Sequence, residues 1–340
     1  MKPYLCLPAA ALAIGLCSCA RTDEVVLKVH HFVPPTSTIH TKMILPWCEK
    51  ILADSRGKLR CQIHPAMQLG GTPTQLYDQV RDGVVDIAYA VPGFTAGRFP
   101  AIEAFELPFM MRNAESTSKA IWDFVAQQDS GEFADVRPLA FNVHGPGLFH
   151  LVGRPVNSRT DLRGLKIRAP TRQSSKLIAA LGGTPVGMPL PQVPEALSKG
   201  VIDGVVVPWE IVPAMKIHEL TRYHSEPPSS EPAIYTTVFL FAMNKARYQS
   251  LSADQREVVD ANSGVVLSGQ FGRIMAGADA DGRAAVPPGS INAVSSAELE
   301  QWKQLTQPVV DQWVREIDDR GVNGRALLAS ARDLIAKYSR

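Results

Sequence analysis

The chain has 340 residues, of which 45% are hydrophobic and 20% are charged, and its 26 prolines and 25 glycines are spread along its length. This length suits two domains of ordinary size, and the composition is that of a folded protein rather than a disordered one. The formal net charge is only +2, and no cluster of basic residues is interleaved with aromatic residues, so the sequence predicts no binding of nucleic acid.

Residues 1–20 have the pattern of an export signal. Lys2 precedes an apolar run, residues 4–16, that is too short to span a bilayer. Leu16-Cys17-Ser18-Cys19 resembles a lipoprotein processing site that would leave a lipid on Cys19, whereas ordinary cleavage after Ala20 is the alternative. Either route predicts a periplasmic protein. Beyond this segment no apolar stretch of about 18 residues predicts a membrane span.

The next seventy residues alternate between strand and helix patterns. Residues 24–30 and 59–64 alternate as β-strands, and residues 39–53 between them have a helical period. A helix that begins after Thr72 ends at Gly83, and the apolar residues 84–91 then predict a strand buried on both faces.

Cys48 and Cys61 are the only cysteines beyond the export signal. Cys48 lies on the predicted helix and Cys61 opens the strand that follows it, and two cysteines left over in an oxidising compartment are expected to pair. We therefore expect a disulfide between them. The alternative is two small buried side chains that never meet.

The helix, glycine and strand recur later in the chain. Residues 191–199 form a predicted short helix, Gly200-Val-Ile-Asp203 repeats Gly83-Val-Val-Asp86, and an apolar strand then ends at Pro208. The repeat predicts two α/β lobes with one copy each. The alternative is a chance match, because a helix, a glycine, a strand and a proline often follow one another in α/β proteins. Because ligands bind outside the carboxyl ends of strands in open α/β sheets, residues 91–94 and 208–210 are the first candidates for a site.

The remaining chain returns to a strand and then becomes helical. Residues 235–243 predict a strand that could go back to the first lobe, and a long helical pattern opens at Ser252 and runs past Ile274. Residues 299–317 and 325–338 predict two further helices. The chain contains no G-x-S-x-G, H-E-x-x-H, P-loop or C-x-x-C motif, and its histidines lack metal-ligand spacing, so we expect no enzyme, metal or cofactor.

Three residues at predicted strand ends fit a binding site. Arg168 ends an apolar strand beside Pro170, where its guanidinium suits bidentate capture of a carboxylate, or alternatively pairs with an internal acid. Trp209 and Glu210 follow the second apolar strand and could supply an aromatic wall and a hydrogen-bond acceptor. The alternative is a core tryptophan beside a surface glutamate.

Six stretches of the chain together resemble the extracytoplasmic solute-binding proteins of TRAP transporters, the DctP-type family. The likeness runs from about Val25 to Tyr338, and the stretches are residues 63–70, 82–87, 105–109, 161–170, 200–204 and 242–245. The resemblance implies a two-lobed α/β periplasmic solute-binding fold with hinge crossings and a long inter-lobe helix. It also implies a small organic anion as ligand, membrane transporter subunits as partners, and Arg168 as the carboxylate clamp.

The lobe boundaries that we expect from this resemblance are residues 24–143 and 233–272 for the first lobe, and residues 144–232 and 273–340 for the second. The sequence departs from the family at two places. A second arginine found in many sialate-binding and sugar-acid-binding members is replaced by Gly147, and a polar run before the proline is replaced by residues 205–207, which are all valine. Both changes remove polarity from the expected pocket.

The residues expected around the ligand are mainly apolar or aromatic. Besides the clamp, the candidates are His31, Phe32, Tyr89, Phe94, His144, Leu190, Trp209, Glu210 and Tyr235. They favour a small carboxylate with an apolar or aromatic body over a polyhydroxylated sugar acid. Two rival functions stay open: an exported enzyme that uses Glu210 as base and Arg168 as anchor, and a ligand-sensing subunit of a membrane receptor.

Overall fold

A computed structural model of the protein describes residues 24–128 and 131–339; the export signal and Cys19 lie outside the described residues. The described residues form two β-sheets, each flanked by helices, with one sheet in each lobe. None of the helices in these ranges is both long enough and apolar enough to cross a membrane.

The first sheet has five strands in the order β2-β1-β3-β10-β4. The first three run parallel, and β10 runs antiparallel to both of its neighbours. All four residues of β3 are buried, as the apolar run predicted. The strands are β1 (Val25–His31), β2 (Leu59–His64), β3 (Ile87–Ala90), β4 (Val136–Val143) and β10 (Val238–Asn244).

The second sheet has six strands in the order β11-β9-β5-β8-β6-β7. Strands β6, β7 and β8 run parallel, and β5 runs antiparallel to both of its neighbours. The strands are β5 (Leu148–Leu151), β6 (Lys166–Ala169), β7 (Thr184–Gly187), β8 (Gly204–Val207), β9 (Tyr223–Glu226) and β11 (Ile291–Ala293). Apart from the edge strand β11, the order and directions match those of the first sheet.

The sequence repeat occupies equivalent places in the two sheets. Asp86 accepts a hydrogen bond from the backbone N–H of Lys28, and Asp203 accepts one from the backbone N–H of Lys166, both at 2.8 Å. Each aspartate therefore ties the start of its strand to the parallel neighbour. The glycine that ends each preceding helix has a positive φ, +76° at the first copy and +66° at the second, which only glycine adopts without strain.

The helices cover the sheets and connect the strands. The helical pattern that opens at Ser252 forms two helices instead of one, because it is interrupted at residues 262–264. At this interruption Trp47 Nε1 donates to the carbonyl of Asn262 at 2.7 Å. The helices are α1 (Leu45–Asp54), α2 (Leu76–Arg81), α3 (Ala114–Gln127), α4 (Arg172–Ala180), α5 (Val193–Ser198), α6 (Ile217–Leu220), α7 (Lys245–Ser250), α8 (Ala253–Ala261), α9 (Val265–Gly277), α10 (Asp279–Ala284), α11 (Ser296–Asp318) and α12 (Gly324–Tyr338).

Helix α11 is the long inter-lobe helix that the resemblance implied. Its first half buries Leu299 and Trp302 in a cluster of second-lobe residues. Its second half buries Trp313 and Ile317 in the cluster that contains the core of the first sheet, and Trp313 Nε1 donates to the carbonyl of Pro100 over 3.0 Å. One helix is thus anchored in both lobes.

Two of the segments in which the chain crosses between the sheets, residues 144–147 and 227–237, meet where the Gly147 N–H donates to the carbonyl of Tyr235 at 3.2 Å. Helix α12 packs against α3 of the first lobe, where the Tyr338 hydroxyl donates to Asp123 over 2.6 Å. We therefore propose the lobe boundaries given above with one change, the transfer of residues 324–338 to the first lobe.

The expected disulfide is confirmed. Cys48 on α1 and Cys61 on β2 are bonded, with their Cα atoms 5.7 Å apart and 13 positions apart in sequence. Because α1 packs directly on β2, the helix-then-strand pattern of the sequence brings these two cysteines within bridging distance.

Candidate functional site

A cavity with an empty volume of about 420 Å³ lies between the two lobes, at the carboxyl ends of β3, β6 and β8. Eleven apolar side chains and five polar ones line it. The apolar residues are Phe32, Val33, Ile39, Val91, Phe94, Pro170, Leu190, Val207, Pro208, Ile211 and Phe239; the polar residues are His144, Arg168, Glu210, Tyr235 and Thr237. Both lobes and both crossings contribute.

Arg168 lies at the end of β6 with only 3% of its surface exposed. Its guanidinium donates to the carbonyl of Met188 over 3.0 Å and to the carbonyl of Val206 over 3.4 Å. No carboxylate among the described residues pairs with it, and burial lowers its pKa to about 10. The internal ion pair considered as the alternative is therefore not formed within these ranges, and the buried positive charge faces the cavity.

His144 and Tyr235 stand beside this guanidinium, with their ring centroids 5.3 Å apart. His144 Nδ1 lies 2.6 Å from the carbonyl oxygen of Gly145, and a carbonyl can only accept, so this nitrogen carries the ring proton. Burial, together with the Arg168 charge, lowers the pKa of His144 to about 4. The ring is neutral near pH 7, and its Nε2 is left as an acceptor.

Glu210 lies in the turn that follows β8 and is 6% exposed. Its Oε2 atom is buried and has no hydrogen-bond partner among the described residues. Burial together with the nearby negative charge of Asp279 raises the pKa of Glu210 to about 8, against a smaller opposing effect of the Thr38 side chain. This acid is neutral over most of the range below pH 8.

Phe32 and Phe94 form an aromatic wall on the first-lobe side of the cavity, with ring centroids 5.7 Å apart in an edge-to-face arrangement. Phe239 on β10 is a third aromatic residue of the lining, and Leu190 faces it from the second lobe. Sequence reasoning named Phe32, Phe94 and Leu190 but missed Phe239. A residue in the middle of a continuous apolar strand gives no signal of which face meets a ligand.

Three of the predicted site residues lie outside the cavity lining. His31 is buried and its Nε2 pairs with His40 Nδ1 over 2.9 Å. Tyr89 is one layer behind the lining, stacked on Phe239 and bonded to Asn142 over 3.0 Å.

Trp209 points away from the cavity into an outer cleft, where its Nε1 donates to Glu226 over 2.8 Å. Trp209 and Glu210 are consecutive in one turn, so their side chains leave in different directions. Only the glutamate reaches the cavity, and the tryptophan is the core residue that sequence reasoning gave as the alternative.

The structure leaves no room at Gly147 for the second arginine that many sialate-binding and sugar-acid-binding members carry. A Cβ atom at this position would lie 2.0 Å from Cε1 of Tyr235, far closer than two carbon atoms approach without bonding. The tyrosine ring occupies the space that any side chain at 147 would need. The cavity therefore has an aromatic ring at that place.

An ion-pair cluster outside the cavity joins the two lobes, and sequence reasoning missed it. Arg172, at the start of α4, pairs with Glu103 of the first lobe and with Glu316 of α11. Gln173 also donates to Glu103 over 2.7 Å, and Lys176 pairs with Glu316 at 2.7 Å. Within residues 24–128 and 131–339, no group of three His, Cys, Asp or Glu side chains could hold a metal ion.

Comparison with known proteins identifies the family. The model of the DctP family, described as bacterial extracellular solute-binding protein family 7, matches residues 29–316. The chain belongs to this family. The DctP proteins are solute-binding proteins and not enzymes; they bind small anionic ligands and work with TRAP membrane subunits. The resemblance inferred from the six sequence stretches is thereby confirmed.

Three solved structures of TRAP solute-binding proteins are similar over almost the whole chain. A TRAP solute-binding protein from Rhodoferax ferrireducens T118, in complex with copurified benzoate, is 50% identical with a TM-score of 0.91, covering 93% of this chain and 98% of its own. One from a marine metagenome, specific for aromatic acids and holding 3-hydroxybenzoate, is 46% identical with a TM-score of 0.90 and coverages of 93% and 99%.

The third structure is a periplasmic protein from Bordetella bronchiseptica with bound (R)- and (S)-mandelate. It is 29% identical with a TM-score of 0.84, covering 92% of this chain and 99% of its own. All three are two-lobed TRAP binding proteins, so the predicted fold class is confirmed for this chain.

Proposed function

We propose that this chain captures a small aromatic monocarboxylate between its lobes and delivers it to the membrane subunits of a TRAP transporter. The observation that carries the proposal is the Arg168 guanidinium, which is buried at the cavity without a carboxylate partner among the described residues. A buried unpaired charge is costly to a folded protein. A ligand carboxylate supplies the missing counter-charge through two parallel hydrogen bonds.

The shape and polarity of the cavity support an aromatic body for this ligand. Phe32, Phe94 and Phe239 present ring faces or edges, and the space at Gly147 is filled by the Tyr235 ring. An aromatic ligand gains from such contacts in addition to its buried area. A polyhydroxylated sugar acid would leave several hydroxyl groups against hydrocarbon. The benzoate, hydroxybenzoate and mandelate held by similar proteins agree with this ligand class.

Affinity follows from the same features. A micromolar ligand needs about 8 kcal/mol of binding free energy. The charge-assisted hydrogen bonds to Arg168 contribute roughly 1.5 to 3 kcal/mol each, and burial of an aromatic ring contributes a further 2 kcal/mol or so. The lobes close over the ligand, and the ion pairs of Arg172 with Glu103 and Glu316 then stabilise the closed conformation.

We propose a periplasmic location for the mature protein, with a lipid anchor on Cys19. The support is the export pattern of residues 1–20, since other family members are extracellular binding proteins. Intact-mass measurement of the protein purified from membranes tests the anchor. A mature chain that begins with acylated Cys19 supports it, and a chain that begins at Arg21 without lipid contradicts it.

The function is tested by calorimetry of the ligand-free protein with benzoate, phenylglyoxylate, an aliphatic keto acid and a sugar acid. We expect the two aromatic acids to bind at micromolar concentrations or below and the sugar acid not to bind. Tight binding to sugar acids alone would reject the proposal. Mass spectrometry of the copurified ligand before and after incubation separates a carrier from the rival enzyme, because a carrier returns its ligand unchanged.

A further inference from the structure

Four of the five polar residues of the cavity fall into two groups. Arg168, His144 and Tyr235 form one group, because the charge of the arginine acts on both rings. Glu210 belongs to the other group, where its neighbours are Thr38 of the first lobe and Asp279 of α10. Arg168 and Glu210 do not form an ion pair, and neither charge is among the causes that shift the pKa of the other, so we place the two groups at different ends of the cavity.

The acidic end has an unused hydrogen-bonding position. Glu210 lines the cavity, its Oε2 is buried, and that atom has no partner among the described residues. The backbone N–H of Glu210 is already occupied, because it donates to Asp279 Oδ1 over 2.9 Å. A buried polar atom that remains unpaired costs free energy that a partner recovers. A ligand atom that reaches this position is such a partner.

The chemistry of this position favours a hydroxyl group. The charge that helps to raise the pKa of Glu210 belongs to another carboxyl, that of Asp279, and no cation among the described residues lowers it. Burial raises the pKa of Glu210 to about 8, so near neutral pH it carries a proton and offers one O–H donor and one acceptor oxygen. A hydroxyl can pair with either. A second carboxylate on the ligand would meet two acids instead of a cation.

We propose that Glu210 forms a second polar subsite, which binds a hydroxyl group on the aromatic ring of the ligand, away from the carboxylate held by Arg168. The inference rests on the proposed function, since it assigns the other end of the same ligand. The ligand class becomes a hydroxylated benzoate with its hydroxyl at position 3 or 4. A hydroxyl at position 2 lies beside the carboxylate, at the arginine end, and cannot reach Glu210.

The test compares ligands of equal shape in the wild-type protein. The hydroxyl preference is the dissociation constant of 3- or 4-methylbenzoate divided by that of the matching hydroxybenzoate, measured by calorimetry. We expect a preference of about tenfold, the effect of one well-placed hydrogen bond, for the better of the two positions. We expect none for the pair substituted at position 2. This comparison needs no variant and therefore does not depend on folding.

Variants then assign the preference to the residue. Glu210→Met removes the hydrogen bond and should reduce the preference to about one, whereas Glu210→Gln keeps a donor and an acceptor and should retain it. Glu106→Gln is the matched control, because Glu106 is also buried with an unpartnered Oε2 but does not line the cavity. Its hydroxyl preference should equal that of the wild type.

The possible failures can be told apart. The subsite is overturned if 3- and 4-methylbenzoate bind the wild type as tightly as the matching hydroxybenzoates, or if the hydroxyl preference persists in Glu210→Met. In either case binding of benzoate itself would leave the proposed function in place. If neither benzoate nor any substituted benzoate binds the wild type, the proposed function fails and the subsite fails with it.

Discussion

Replacing Arg168 by methionine removes the buried charge and leaves a flexible apolar side chain in its place. In the wild type the guanidinium donates to the carbonyls of Met188 and Val206 and pairs with no carboxylate among the described residues. If Arg168 exists to hold a ligand, its loss should abolish binding and leave the fold intact. If it is a structural residue, its loss should instead destabilise the protein.

The expected loss of affinity follows from the hydrogen bonds that disappear. Two charge-assisted hydrogen bonds of about 1.5 to 3 kcal/mol each amount to roughly 3 to 6 kcal/mol. Since 1.4 kcal/mol is a factor of ten, the dissociation constant should rise by about a hundredfold to ten-thousandfold. A ligand that binds the wild type at a concentration of about 1 μM would then need about 0.1 to 10 mM.

The expected change in stability is small because two effects oppose each other. Burial lowers the pKa of Arg168 to about 10, which corresponds to a cost of roughly 3 kcal/mol for holding the charge inside. Its two hydrogen bonds to carbonyls return a similar amount. The free energy of unfolding of ligand-free Arg168→Met should therefore lie within about 1 to 2 kcal/mol of the wild type.

Urea denaturation of ligand-free protein and calorimetry with benzoate measure the two quantities. Arg163→Met is the control, since Arg163 is exposed in the loop before the same strand. Affinity within tenfold of the wild type, or a loss of stability above 3 kcal/mol, would refute the assignment of Arg168 as a ligand clamp. The second outcome is the size expected when a structural buried ion pair is broken.

Three further changes have defined outcomes. Gly147→Ala places a methyl group 2.0 Å from a ring carbon of Tyr235. It should abolish ligand binding and lower the free energy of unfolding in urea by about 1 to 3 kcal/mol. The control Gly153→Ala, whose methyl group meets nothing within 4 Å, should match the wild type in both measurements. Removing the disulfide with Cys48→Ser and Cys61→Ser opens a loop with a separation of 13 and should cost about 3 kcal/mol of stability, with unchanged ligand affinity by calorimetry. Burial raises the pKa of Glu106 and Glu210 to about 8 each, so the contribution of each acid to stability should be full below about pH 4.5 and be lost toward pH 8 by about 1.4 kcal/mol per pH unit. Glu106→Gln removes one of these contributions, so in thermal melts its melting temperature should rise relative to that of the wild type between pH 5 and pH 8, and a difference between the two proteins that stays constant would contradict this reasoning.

Much of the site could be predicted because local patterns in the sequence have local structural causes. The repeated glycine, apolar strand and proline mark the carboxyl ends of two parallel strands, and the cavity lies at those ends. Arg168 and Glu210 could be singled out because a charged residue at the end of a buried strand, or a few residues beyond it, is placed at that edge by chain geometry. The pairing of Cys48 with Cys61 followed from a helix that packs on the next strand.

The sequence could not predict the direction in which a side chain leaves a turn, or contacts between residues far apart in the chain. Trp209 and Glu210 are neighbours, and only the turn that contains them decides that the tryptophan faces the outer cleft. The pairing of Arg172 with Glu103 joins residues 69 positions apart, and charge alone offers many such pairs. The packing of residues 324–338 on α3 is likewise a tertiary choice, because an amphipathic helix can cover either lobe equally well.

Helix α11 links the two lobes, so its shape should differ between the ligand-bound and the ligand-free protein. Its two halves are rooted in different cores, and Pro308 lies between them, where the helix lacks one N–H donor and bends most easily. Any rotation of one lobe against the other must therefore bend helix α11 or shift one of its ends. We therefore expect the outer surface of α11 to differ in shape between the ligand-bound and the ligand-free protein.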